Sequence, residues 1–246
     1  MAGFLSNLFN KKSKQEIERQ YYLKNPNGTS LTVEQQYGIS LGLILSERNE
    51  AYCDSLETGL EKSEEKNFLT NSWRISNRED ALDFLSARSG DYGHRQLFNA
   101  LLDIYIKQDC ADADDIDFDG TEFADMAEDV RPYLKNLDEI YELDDDWFSE
   151  VEDDFAIGAD AWDFGRVVFV SRMCYCAGYI TESEAWGYIS HVTKLTRKKF
   201  DNWEDYAKSY LLGRAMWIGD DGEWDMNDGF ASGALHDKDS PWNKLA

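Results

Sequence analysis

Ala161-Trp162-Asp163-Phe164-Gly165-Arg166-Val167-Val168-Phe169-Val170-Ser171-Arg172-Met173-Cys174-Tyr175-Cys176-Ala177 is the stretch that decides the fold. Its apolar run from Val167 to Val170 would suit a strand, but the whole is far longer than the roughly 5–6 residues of an average strand. It contains no proline, and Trp162, Phe169, Met173 and Ala177 recur at helical spacing with Arg166 in the same stripe. The spacing predicts a helix over 161–177, apolar on most sides and therefore central and buried. Gly178 stands where a helix ends in a left-handed residue. Thr181-Glu182-Ser183-Glu184 reads as a capping box. It opens a helix from Glu182 to about Lys199, with Ala185, Ile189, Val192 and Thr196 on one side. Arg197, Lys198 and Lys199 in its last turn suit the negative end of the helix dipole. Asp201 or Asn202 begins another helix through Trp203, Tyr206, Tyr210 and Gly213.

Charges sit inside this apolar frame. Asp163 and Arg166 are three apart and can meet on one helix face. Arg172, Glu184 and Arg214 lie in the neighbouring elements, and buried ions are costly unless paired. The expectation is one internal network of Asp163, Arg166, Arg172, Glu184 and Arg214 that pins helix register. The competing reading is a polar pocket in which Asp163 or Glu184 does acid–base work. No phosphate loop, nucleophile elbow or metal motif accompanies these residues, so binding ranks above catalysis and no catalytic residue is assigned.

Outward from this centre, the length suits one large domain or two small ones and can bury a substantial core, and three prolines in 246 residues favour helices. Met1 to Asn10 carries Phe4, Leu5, Leu8 and Phe9 ahead of Lys11, Lys12 and Lys14, the reverse of a signal peptide's order. Residues 1–30 read as an amphipathic segment and a helix over Gln15–Lys24, stopped by the turn Asn25-Pro26-Asn27-Gly28. Residues 31–246 read as the helical domain proper. Thr32 to about Arg48 is a helical segment with Val33, Tyr37, Leu41 and Ile44 as its stripe. Glu57 to Asn67 is an exposed loop or weak helix. Ser76-Asn77-Arg78-Glu79 is a second capping box, before a helix with Ala81, Leu82 and Leu85. Ser89-Gly90-Asp91 ends that helix, and His94 starts the next, to about Lys107. No run approaches the length of a membrane span. The four cysteines and three histidines show no zinc spacing, and Cys174 and Cys176 cannot face each other on one helix, which fits reduced thiols in the cytoplasm.

Two separated groups of residues support a resemblance. Trp73-Arg74-Ile75 with Arg78 and Ala81, then Gly93-His94-Arg95 and Phe98, form the first. Ala161-Trp162-Asp163-Phe164-Gly165-Arg166, Arg172, Ala177-Gly178-Tyr179-Ile180, Glu184-Ala185-Trp186, Trp203 and Tyr210-Leu211-Leu212-Gly213-Arg214 with Trp217 form the second. Over 73–217 the chain resembles the bacterial family catalogued as domain of unknown function 1266. The resemblance implies a compact, mainly helical domain and transfers no activity.

The acidic middle lies outside what carries that resemblance. From Asp103 to Asp154 there are 21 Asp or Glu against Lys107, Arg131 and Lys135, leaving eighteen of the 24 net negative charges. Phe123, Met126, Ala127, Val130, Leu134 and Leu137 keep helical spacing between the acidic runs, so the region 109–154 reads as folded, helical in part and irregular in part. Asp115-x-Asp117-x-Asp119-Gly120 imitates a calcium loop, but Met126 stands where the bidentate Glu belongs, and no metal or other cofactor is assigned.

The fold expected is thus mainly α, a single compact multi-helix domain with an acidic middle. A net charge of −24 excludes general affinity for nucleic-acid phosphates and opposes an anionic membrane. It favours a basic protein partner. The expected function is that of a bacterial immunity or inhibitor protein that neutralises a toxin by binding, with a small hydrolase or transferase, or a helical scaffold, as the alternatives. The expected partner-binding residues are Asp114, Asp115, Asp117, Asp119, Asp144, Asp145, Asp146, Trp147, Phe148, Glu152, Asp153 and Asp154. Tyr133, Tyr141 and Phe155 complete the expected aromatic anchors.

Overall fold

A computed structural model describes residues 20–90, 93–108, 112–142, 147–148 and 151–245. The readings of Met1–Asn10, of Asp144–Asp146 and of Cys110 lie outside these residues. The described residues form helices, with no strand among them.

The central helix is α8 (Asp160–Ala177). Every residue from Asp160 to Cys174 is buried, as its near-continuous apolar sequence requires. Gly178 ends it at φ 83°, and the Tyr179 and Ile180 amides donate back to the Cys174 carbonyl. Across Thr181, whose hydroxyl accepts from the Glu184 amide while Glu184 accepts from the Thr181 amide, the chain enters α9 (Glu182–Lys199). Asn202 then caps α10 (Trp203–Ile218) by accepting from the Asp205 amide. Both α9 and α10 pack along α8. A Cβ on Gly213 would overlap Trp162, so the glycine is what lets α10 approach α8 this closely.

The front half surrounds the other sides of α8. It comprises α1 (Val33–Ser40), α2 (Leu43–Arg48), α3 (Lys62–Trp73), α4 (Arg78–Ser89) and α5 (His94–Gln108). The acidic middle follows with α6 (Ala127–Tyr141) and α7 (Val151–Ala156), and after α10 the chain closes with α11 (Trp224–His236) and α12 (Pro241–Lys244). Helix α6 buries Val130, Leu134, Leu137 and Ile140 on one face, the amphipathic pattern its spacing predicts.

Four boundaries differ from expectation, each for a tertiary reason. Residues 20–24 are not helical. There the Tyr22 amide donates to Glu47 at 2.7 Å, the Tyr22 hydroxyl to the Gly233 carbonyl at 3.0 Å, and the Cys53 amide to the Leu23 carbonyl at 2.7 Å. The first of these takes the Tyr22 amide from the carbonyl four residues earlier, to which a helix would direct it, and the other two tie the segment to distant parts of the chain. The segment from Thr32 breaks at Leu41–Gly42 because the Leu41 carbonyl turns to accept the Tyr206 hydroxyl at 2.7 Å. Val33, expected in the apolar stripe, is exposed. The stretch after Glu57 becomes a full helix from Lys62 with Glu65 buried in it. The cap of α4 sits one residue later than expected, with Asn77 accepting from the Asp80 amide.

The box at α9 has a consequence in acid. Arg78 of α4 grips Glu184 with two bonds, at 2.6 and 2.9 Å. That grip, with the Thr181 bonds, holds the Glu184 carboxyl down at about 2, against an ordinary value of 4.5. A folded-state value below the unfolded one stabilises fully above about 4.5, and the gain is lost as pH falls toward 2. The expected result is that Glu184→Gln lowers the urea midpoint at neutral pH and that the difference from wild type shrinks through this window. A difference that persists unchanged at the acid end would contradict the assignment.

Candidate functional site

Asp163, fully buried on α8, accepts the Arg95 amide at 2.9 Å and pairs with Arg166. It therefore caps the start of α5 from another helix. Gly93 makes room for this, since a Cβ there would lie 2.5 Å from Asp163 Oδ2. Arg166 also donates to the Trp162 carbonyl at 3.2 Å and meets His94 Nδ1 at 3.3 Å. His94 packs against Phe98 and, edge on, against Trp217 at 4.5 Å between ring centres. Burial, then the neighbouring Arg166 charge, push the His94 imidazole down to about 4, so it is neutral at pH 7. Nothing in this arrangement pairs a nucleophile with a base.

The five residues expected in one network form separate anchors instead. Asp163 and Arg166 are the pair just described. Arg172, fully buried, has no carboxylate on it among the described residues; it donates to Ser46 Oγ at 2.8 Å and to the Tyr52, Leu56 and Glu57 carbonyls. It thus clamps the 49–58 connection. Glu184 lies at the surface on Arg78, and Arg214 pairs with Asp221 at 2.8 Å. Arg172 stands six residues beyond Arg166 and so on another side of α8, and Glu184 is bonded to α4 at the rim, so no single network joins all five.

Sequence reasoning missed a second buried carboxylate. Asp160 at the start of α8 gathers Asn99 at 2.7 Å, Arg95 at 3.3 Å and Lys199. It ties α5 and the end of α9 to α8. The signal available was its one-turn spacing from Asp163 at the mouth of an apolar helix.

The acidic region is folded onto α6. Ala113, Ile116, Phe118 and Phe123 are buried. Arg131 holds the loop by donating to the Ala113 and Ile116 carbonyls, with its guanidinium 5.0 Å from the Phe118 ring centre. Asp138 accepts the Ala113 amide at 2.6 Å and the Tyr105 hydroxyl at 2.8 Å. Asp114, Asp115, Asp117 and Asp119 all face outward, as do Glu122, Asp125, Glu128 and Asp129. Asp114 bridges Lys135 at 2.7 Å; among the described residues no basic side chain pairs with the other seven. Asp117 accepts the Asp119 amide at 2.9 Å, and among the described residues no cluster of His, Cys, Asp or Glu is arranged to hold a metal ion.

Several expected partner contacts prove to be interior. Phe148 and Phe155 are core residues, stacked edge on at 6.1 Å. Trp147 is half-buried and donates to Asp228, and Tyr133 stacks on Trp217. Of the expected anchors Tyr141 alone is exposed. Asp154 is buried and paired with Lys208 at 2.7 Å, whereas Asp153 is exposed. The side chain of Glu152 lies outside the described residues.

Among the described residues no helix is long and apolar enough to cross a membrane. No solved structure matches the chain. A 60-residue stretch, 24% of this chain, is 32% identical to the "Uncharacterized protein YbeR" of Escherichia coli (strain K12), and the match spans 26% of that protein's length. The family described as "Protein of unknown function (DUF1266)" matches residues 68–246, which extends the likeness past Trp217 and through the acidic middle. With nearly three quarters of its length matched, and with the tryptophan, aspartate and arginine of its central helix holding the fold together, this chain belongs to that family.

Proposed function

We propose that this protein acts by binding a basic protein partner, in the manner of an immunity or inhibitor protein that neutralises a toxin. One observation carries the reading. A run of outward carboxylates, Asp115, Asp117, Asp119, Glu122, Asp125, Glu128 and Asp129, is held on a folded surface by Ile116, Phe118 and Phe123 packed beneath it. Like charges gathered this way repel one another and oppose folding. A basic surface relieves that repulsion and is steered toward it over about 8 Å at physiological salt. Because Phe118, Phe123, Phe148 and Phe155 are core residues, electrostatic encounter rather than aromatic anchoring dominates the contact.

The test is affinity capture in the organism that encodes the chain, followed by binding kinetics on the captured partner. The expected partner is basic, and its on-rate falls as salt rises. Replacing Asp115, Asp117 and Asp119 by Asn and Glu122 by Gln is expected to slow association severalfold while the unfolding temperature stays the same or rises, because self-repulsion is relieved. Co-expression then asks whether the chain restores growth to cells making the partner. A partner whose on-rate ignores both salt and the quadruple variant defeats the proposal.

A further inference from the structure

Three polar atoms on the facing surfaces of α8 and α10 are buried with no hydrogen-bond partner among the described residues: Trp162 Nε1, the Tyr210 hydroxyl and Arg214 Nη1. Their residues are 7%, 1% and 4% exposed. All three belong to one seam. Trp162 and Tyr210 meet edge to face, 5.1 Å between ring centres. Trp162 lies on Gly213, next to Arg214, which stands one helical turn beyond Tyr210. One turn beyond Trp162, Arg166 holds its guanidinium 4.5 Å from the indole centre. The charges of Arg48, Arg166 and Arg214 all act on the Tyr210 phenol.

Each of these arginines has a carboxylate, from Glu223, Asp163 and Asp221 respectively. Those pairs leave Arg214 Nη1, the phenol and the indole unsatisfied. Folded proteins rarely leave buried donors so, because each has given up its hydration. A single water accepts at most two hydrogen bonds and brings two protons that need acceptors of their own, whereas a phosphate has acceptor oxygens enough for all three donors and a charge that the guanidinium groups favour. Guanidinium groups joined by neutral N–H and O–H donors from several directions are suited to a tetrahedral oxyanion. We infer that the seam between α8 and α10 binds a phosphate-type oxyanion through Trp162 Nε1, the Tyr210 hydroxyl and Arg214 Nη1, with Arg48 and Arg166 supplying charge. The seam has an open edge: the side chains of Arg48, Asp221 and Glu223 are 28%, 24% and 43% exposed. An anion entering there competes with Asp221 and Glu223 for their arginines.

Inorganic phosphate is the probe, on the full chain, by thermal unfolding and titration calorimetry against chloride and acetate at matched ionic strength. Phosphate is expected to bind saturably and to raise the unfolding temperature above that in either control. Tyr210→Phe keeps the ring and its packing. It is expected to bind phosphate roughly tenfold more weakly, the worth of one hydrogen bond to a charged group. In chloride it should unfold at the same temperature or higher, because an orphaned hydroxyl has gone. Arg214→Gln should abolish binding. Stabilisation by phosphate no greater than by chloride or acetate overturns the inference, and so does wild-type phosphate affinity in Tyr210→Phe.

Discussion

Asp163→Ala is expected to cost on the order of 3–5 kcal/mol of folding stability, the range for removing one partner of a buried ion pair. Two losses combine in it. Arg166, 3% exposed on its side chain, keeps its charge in the interior with His94 as its remaining side-chain hydrogen-bond contact. The start of α5 also loses its acceptor at the Arg95 amide. Asp163→Asn separates the two, since an amide oxygen can still accept from Arg95 while the charge is gone; it should fall between wild type and alanine. Urea unfolding, with the slope unchanged and the midpoint shifted, is the measurement. A domain has roughly 5–15 kcal/mol to lose, so the alanine variant should be near the edge of folding. Wild-type stability in both variants would mean that the pair is not structural, and would reopen the reading of Asp163 as a reacting group.

The second large effect is expected at Arg172, and it should be local where the first is global. Arg172→Met removes a buried cation, which by itself relieves a desolvation cost. What remains is three carbonyls, of Tyr52, Leu56 and Glu57, that lose their donor inside the protein. Each orphaned group costs about 1–3 kcal/mol unless it finds water. The net loss should be on the order of 3 kcal/mol, and the 49–58 connection should open to recover hydration. Hydrogen exchange is the decisive readout. The amides of Ala51 and Tyr52, bonded to the Ser46 and Thr58 carbonyls, should lose protection ahead of α8. Uniform loss of protection across all helices would show that Arg172 supports the core as a whole rather than this connection.

These two residues show how far the sequence reaches. Local chemistry made the helical class, the burial of 161–177, the Gly178 stop and the Thr181–Glu184 box legible, because each depends on residues within about one turn of one another. The Asp163–Arg166 pair was legible for the same reason. Arg172 was visible only as a charge in an apolar helix. That its partners would be carbonyls some 115 residues earlier in the chain depended on how the 49–58 connection crosses α8. The same limit explains residues 20–24, which suit a helix but whose Tyr22 amide is claimed by Glu47 and whose Leu23 carbonyl ties the segment to Cys53. In the acidic middle, composition established the charge and α6's periodicity its buried face. Only packing decided that the carboxylates between Asp115 and Asp129 face outward while Phe148, Phe155 and Asp154 turn in. Hydrophobic periodicity says which face of an element is apolar, not which other element will cover it; that is set by the competition of all faces for one core.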